Sequence, residues 1–464
     1  MGRPARKSRI EMAEAVSQRA AMDGAIRHLV QNYSPAGNRI GWLMMASIIV
    51  EAWDFNVFGL VFIFIRDQYH PDPFMLSLAA AGAQGGAFAG AILGGWLTDK
   101  LGRRVMFLST MVLFIVMGLA QAFVTSIGML IVVRFILGVP LGSDVTTGYT
   151  YIMECMPKGR REVMGGRWQF MFAAGQTMAL IILVPLLAID LPHEWVWRIM
   201  LGLGAVPAVV ILYLRRDLPE TAMWLIHQGR FHDAKVVTRK MYGDDLAMLV
   251  DENVRLPKPR PTAFLADLWR DPVRKRATLY GWIACFCQGG EFSTFGFYIP
   301  VLFAMVGVSS LVGTNLILIP VYVFGGIGAW IMPQITPRIG HRGIGMAGFG
   351  AVLGALLVAA VALYTHQFYI LPFAAAVMLW GQYCATSNCM TIPTMVAKPE
   401  YRGTASGFSY MIAKIPQAPG IFLFPALFAA IGQANATLFV TIFPLVGLAS
   451  AIFLLPEVYG YEKS

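Results

Sequence analysis

Apolar stretches long enough to cross a membrane recur along the whole chain, separated mostly by short polar elbows. Twelve of them predict helices, at about 40–65, 75–98, 104–123, 126–153, 163–188, 195–214, 277–304, 309–333, 343–364, 368–395, 404–431 and 435–455. Roughly 20 apolar residues in a helix cross about 30 Å of hydrocarbon. Inside a bilayer every backbone amide needs a partner within the protein, which restricts spanning elements to helices and closed barrels. A barrel would show short alternating segments instead of these continuous runs. The pattern predicts an all-α membrane protein with twelve transmembrane helices.

Six stretches precede a long hydrophilic segment, 215–276, and six follow it, as in two pseudo-symmetric six-helix bundles. The expected organisation is a cytoplasmic N-terminal segment (1–38), a first bundle (39–214), a cytoplasmic linker (215–276), a second bundle (277–456) and a cytoplasmic tail (457–464). In the linker, Asp245, Glu252, Pro257, Lys258, Pro259 and Arg260 predict short surface helices broken by proline. Met12 to Val30 is weakly amphipathic and reads either as a helix on the membrane surface or as a tail. The segment before Ile40 lacks the apolar core and cleavage site of a secretory signal.

With 57% hydrophobic and 13% charged residues and a mean hydropathy of +0.62, a chain of 464 residues is too apolar for a water-soluble protein. The net charge of +10 does not point to nucleic acid, because the cations sit in alternate loops. Arg3, Arg6, Lys7 and Arg9, then Lys100, Arg103 and Arg104, Lys158, Arg160 and Arg161, the 215–276 segment, Arg338 and Arg342, and Lys398 and Arg402 all fall on one side. Such asymmetry orients a multi-pass protein of the cell membrane with both termini in the cytoplasm. The five cysteines form no CxxC pair and read as small apolar filler. HExxH, GxSxG and Walker patterns and histidine pairs at metal spacing do not occur, so no enzyme activity, metal or cofactor is expected.

The most informative elbow is Gly94-Gly95-Trp96-Leu97-Thr98-Asp99-Lys100-Leu101-Gly102-Arg103-Arg104, which sets one acid among cations and glycines between two apolar runs. Ile335 to Arg342 echoes it in the second half but places Pro337 where the first half has Asp99. Arg134-Phe135-Ile136-Leu137-Gly138 leads on to Glu154, Pro157 and Arg161, and Leu218-Pro219-Glu220 is followed by Trp224-Leu225 and Gly229-Arg230. Arg402-Gly403-Thr404-Ala405-Ser406-Gly407 precedes the eleventh stretch. Together these motifs resemble the major facilitator superfamily over nearly the whole chain, in its sugar-porter branch or the neighbouring metabolite:proton symporters. The resemblance implies the major facilitator fold and a secondary active transporter that symports protons with a small polar solute, a sugar or related organic metabolite, by alternating access; its partners are that small-molecule solute, protons and the lipid bilayer, and it is expected to act as a monomer.

Ionisable groups within the membrane need a task or a partner, because a carboxylate at mid-bilayer costs on the order of 2.5–3.5 kcal/mol on insertion scales. Asp54 lies in the middle of the first stretch and resembles the proton-coupling aspartate of the family, whose partner arginine maps onto Arg134. Glu51, three residues earlier on nearly the same helix face, is expected either to share that coupling role or to face an aqueous vestibule. The rival reading is a static Asp54–Arg134 pair in a proton-independent facilitator. Asp144 and Lys414 point to another alternative, an anion:proton symporter in which both charges clamp the solute or neutralise each other across the bundles. Gln169 and Gln288, with Tyr298 ten residues beyond the latter, resemble the amides that bind sugar hydroxyls; Glu291 and Ser293 depart from that pattern and join them as substrate-binding candidates. Gln382 and Asn388 are expected to face solute, since a lipid-facing amide is costly. For gating, Asp99, Arg103 and Arg104 are expected to work with Glu154, Arg161, Glu220 and Arg402. A receptor of transporter-like build is a further rival, disfavoured by the short stretch after Glu457.

Overall fold

The computed structural model describes residues 24–25, 29, 31, 34, 36–157, 159–189, 191–243, 261–296, 299, 303 and 311–461. Arg3, Arg6, Lys7, Arg9, Lys158 and Tyr298, the linker residues Asp245 to Arg260 named above and most of Met12 to Val30 lie outside them.

Among the described residues, nine helices are long and apolar enough to cross a membrane. One of these, Leu311–Tyr364, doubles back at Gly340, where φ is +73°, and supplies the eighth and ninth spans. Pro272–Glu291, made less apolar by its polar and charged residues, and Arg402–Ile431 complete twelve as the seventh and eleventh spans. The first six are Gly37–Tyr69, Pro73–Leu101, Arg103–Ala122, Ile127–Cys155, Arg160–Ala188 and His193–Arg215. Leu371–Val396 is the tenth span and Gln433–Phe453 the twelfth. Short helices at Ala222–His227, Phe231–Tyr242 and Pro261–Arg270 lie between the halves.

Local chemistry explains where several helices begin. Asp72, just ahead of Pro73, accepts from the Met75 amide at 2.9 Å, and Ser126 accepts from Met129 at 3.2 Å. Asp271, ahead of Pro272, accepts from the amides of Val273 and Arg274. Each side chain occupies an otherwise unpaired donor of the first turn, and proline at the next position costs no hydrogen bond.

Apolar side chains face outward where lipid would lie, as at Val112, Val116, Phe373 and Phe453, while the polar groups of the spans are buried. With no water to drive helices together, close backbone approach holds them. The second and fourth spans meet through Gly86, Gly90, Gly138 and Gly142, where any added Cβ would collide with the facing backbone. The same device joins the bundles: Gly95 on the second span faces Gly403 and Gly407 on the eleventh. The fifth span packs along the eighth, where the Arg167 guanidinium lies 4.9 Å from the Trp42 ring and 4.8 Å from that of Trp330.

Candidate functional site

A cavity lies between the bundles. The space between its lining side chains is about 380 Å³, counting the part open to solvent. Its walls come from the first, fifth, seventh, tenth and eleventh spans. Four amides line it: Gln169 from the first half and Gln288, Gln382 and Gln417 from the second. Phe55, Trp168, Phe172, Phe292, Tyr383 and Tyr410 give it flat apolar walls. Two charges complete the lining, Glu51 on the first span and Lys414 on the eleventh.

Those charges meet across the bundle interface. The Lys414 ammonium stands 3.4 Å from a carboxylate oxygen of Glu51, and the Tyr410 hydroxyl donates to that same oxygen. The ammonium also lies 4.6 Å from the centre of the Phe55 ring and 4.4 Å from that of Tyr410, within cation–π range. Both residues are at least 97% buried. Away from the hinge, Phe172 packs edge-on to Phe292, Tyr383 donates to Gln176, and Tyr322 donates to Asn56 at 3.2 Å. These contacts cover the cavity on that side.

Two further buried charge pairs lie within the first bundle. Arg134 lies 3.4 Å from Asp54, and Gln121 on the third span bridges them, donating to Asp54 at 3.1 Å and accepting from Arg134 at 3.0 Å. Arg134 also donates to the Ala79 carbonyl and lies over the Phe58 ring. Asp144 pairs with Arg215 at 2.8 Å, and Arg215 continues to Ser47 and the Leu43 and Met44 carbonyls. The expectation that Asp144 faces Lys414 therefore fails: Asp144 points between the third and sixth spans, and Lys414 has Glu51.

Three further site expectations are placed elsewhere. Asn388 holds His341, donating to its carbonyl and meeting its ring nitrogen at 2.8 Å, so it joins the tenth span to the ninth instead of facing the cavity. Ser293 donates to the carbonyls of Gly290 and Pro416, inside a π-helical turn, Phe292–Gly296, that continues the seventh span. Glu291 is fully buried outside the cavity lining, and neither carboxylate oxygen has a hydrogen-bond partner. Gln169, Gln288, Gln382 and Lys414 do line the cavity. Gln417, Tyr410 and the aromatic walls were missed, although Gln417 lies one helical turn beyond Lys414.

The hinge residues form one network. Asp99 accepts from the amides of Gly403 and Thr404 and from the Thr404 hydroxyl, tying the second span to the start of the eleventh across the bundles. Arg103 pairs with Asp99 at 3.2 Å and with Glu154 at 2.8 Å. Glu220 accepts from the backbone amides of Arg103 and Arg104, just past Gly102 with its φ of +100°. Burial raises the proton affinity of Glu220, opposed by Arg103 and by those amides. Arg402 donates to the Met153 carbonyl, and Arg161 is buried close by. The second half repeats the clamp: Glu457 accepts from the amides of His341 and Arg342, just past Gly340. The signal was present as Leu218-Pro219-Glu220 and Leu455-Pro456-Glu457.

A twelve-span, two-bundle fold with an interface cavity lined by amides, a charge pair and aromatic rings is the build of a membrane transporter, and the family model described as "Sugar (and other) transporter" matches residues 46–462. The chain belongs to that family. It is 25% identical over 421 residues to the inner membrane metabolite transport protein YgcS of Escherichia coli, covering 90% of this chain and 91% of the relative. The arabinose-proton symporter of Bacillus subtilis is 26% identical over 255 residues, covering 54% and 55%. The solved proton:xylose symporter XylE, bound to 6-bromo-6-deoxy-D-glucose and known from E. coli, superposes with a TM-score of 0.72 at 18% identity, covering 91% of this chain and 96% of that one. The protein is thus a membrane-embedded transporter of a sugar or other metabolite, and not an enzyme.

Proposed function

We propose that this transporter couples entry of a small polar solute, a sugar or a related organic metabolite, to entry of protons by alternating access. The Glu51–Lys414 pair carries the reading: a buried carboxylate and ammonium from opposite bundles meet across the cavity. Rocking of the bundles must stretch that contact, so the hold of the carboxylate on a proton differs between the two access states. The cations Lys100, Arg103, Arg104, Arg338, Arg342 and Arg402 crowd the hinge end, which favours a cytoplasmic hinge by the positive-inside rule. The described state is then closed to the cytoplasm. Each chain holds both bundles and the whole cavity, which supports a working monomer.

Uptake of labelled D-xylose and a panel of other metabolites into proteoliposomes, with and without an inward-directed proton gradient, tests the reading. Accumulation above the outside concentration only with the gradient is the expected result. Equilibration that ignores the gradient overturns it in favour of a facilitator. A second carrier of the proton is Asp54, favoured by its 3.4 Å spacing from Arg134 and by the bridging Gln121. Asp54→Asn keeps exchange but loses accumulation if the proton travels there.

A further inference from the structure

We propose that the solute is a hydroxylated monoanion of the sugar-acid class, whose carboxylate takes Lys414 from Glu51 while Glu51 takes the proton. The inference rests on the proton-symport reading above and adds the substrate class and the residue that answers to it.

Charge conservation in the cavity is the reason. With no solute, Glu51 and Lys414 neutralise each other, so the empty site is neutral when the bundles rock. A neutral sugar entering with a proton on Glu51 would leave the Lys414 ammonium 97% buried with no counter-charge, which is costly in a low-dielectric site. An anion entering with a proton on Glu51 leaves Lys414 paired, so the loaded site is neutral as well. The exchange balances: the Lys414–Glu51 contact breaks, a Lys414–carboxylate contact forms, and Glu51 gains one proton from the side that is open. On release both steps reverse.

The remaining lining fits the rest of such a molecule. The Gln382 nitrogen and oxygen, the Gln417 oxygen and the second Glu51 oxygen are all buried without a hydrogen-bond partner. Amides offer both donor and acceptor to hydroxyls, and unmet groups of this kind are rare in a folded interior. A protonated Glu51 also becomes a donor to solute. The charged and titratable groups near Glu51 are Lys414 and Tyr410 from the eleventh span, and Tyr149 and Asp144 from the fourth, with Asp144 held by Arg215. Lys414 is therefore the cation open to exchange.

The experiment uses purified full-length protein and matched probes: D-gluconate and D-galacturonate against D-glucitol and D-galactose. Calorimetric titration in two buffers of different protonation enthalpy counts protons taken up on binding. The expected result is binding of an acid at least tenfold tighter than its neutral counterpart, with about one proton taken up per anion. Lys414→Gln should weaken acid binding by roughly 10- to 100-fold, the range for loss of a charge-assisted bond. Glu51→Gln should bind the acid without proton uptake. Reconstituted wild-type protein should then accumulate the acid with a pH gradient and show no response to an imposed membrane potential, since anion and proton cancel. Tighter binding of a neutral sugar, acid binding without proton uptake in the wild type, proton uptake that persists in Glu51→Gln, or a panel in which neither acid binds at millimolar concentration overturns the proposal. Gradient-driven uptake of a neutral sugar overturns it while leaving proton symport intact. Acid uptake that ignores the gradient overturns the symport reading itself. The wild-type proton count needs no variant, so a variant that fails to fold does not blunt the test.

Discussion

Two buried ion pairs hang from the first span less than one turn apart, and they differ in what they join. Asp54 reaches Arg134 within the first bundle, with Gln121 bridging the two. Glu51 reaches Lys414 in the second bundle. A pair inside a rigid body keeps its geometry when the bodies rock, whereas a pair between bodies cannot, so only the latter registers the transport cycle in its own bond length. Sequence position does not tell the two roles apart. The partner does.

The largest expected effects break these pairs one partner at a time. Lys414→Met and Arg134→Met each leave a buried carboxylate unpaired and should cost about 3–5 kcal/mol, read as a lower midpoint of thermal unfolding in detergent. Replacing both partners by apolar residues should restore most of that stability in either case, because a buried pair is worth little more than good apolar packing. Transport then separates the pairs. Glu51→Leu with Lys414→Met should be stable and inactive, while Asp54→Leu with Arg134→Met should retain gradient-driven accumulation at reduced rate. The reverse outcome would assign the proton to Asp54.

The hinge carries the same contrast at smaller scale. Asp99 bonds across the bundles to Gly403 and Thr404, whereas Glu457 bonds to His341 and Arg342 within its own half. Asp99→Ala should shift the bundle equilibrium by about 2–3 kcal/mol, the scale of a hydrogen bond to a charged group, and so open the hinge side roughly 30- to 150-fold more often. The rate at which a cysteine at Ser406, fully buried here, reacts with an impermeant maleimide reads that opening. Glu457→Ala should lower stability by about 1–3 kcal/mol and leave the labelling rate unchanged. Equal labelling in the two variants would mean that Asp99 is not the latch.

What the chain reveals by itself follows from the range of each interaction. The spans were legible because lipid imposes one apolar length on every crossing. The seventh and eleventh remained so despite Gln288, Glu291, Lys414 and Gln417, since the segments leading into them, 270–276 and 398–402, are strongly charged. Lys414 and three amides of the cavity were legible for a similar reason, as polar groups at depth need a use. Their partners were not. Glu51 and Lys414 are 363 residues apart, and Asp144 and Arg215 are joined only because the sixth span ends beside the third and fourth. Arg215 reads as the start of a linker, yet it is completely buried at the end of a helix. Helical periodicity fixes a face, and a face does not choose among the helices it can meet. Asn388 shows the cost of that ambiguity: its inward face was right, and the group it meets is His341 and not solute.

A pH-dependent effect lies beside the hinge, and it turns on a single histidine. His227 ends the short helix Ala222–His227 and is pushed down to about 4 by burial first and then by the nearby Arg103 and Arg402 cations. An unfolded histidine titrates near 6.5, so between the two values the unfolded chain binds a proton that the fold refuses. Stability from this residue is therefore complete above about 6.5 and declines as pH falls towards 4. Thermal midpoints of wild-type and His227→Gln protein, measured from pH 7 to pH 4.5, should converge on neutrality and separate in acid, with the variant falling less. Parallel curves would mean that His227 takes up its proton as readily in the fold as outside it. Because Arg103 and Arg402 also belong to the hinge network, that result would equally say that their charge is spent on Glu154 and the backbone before it reaches the histidine.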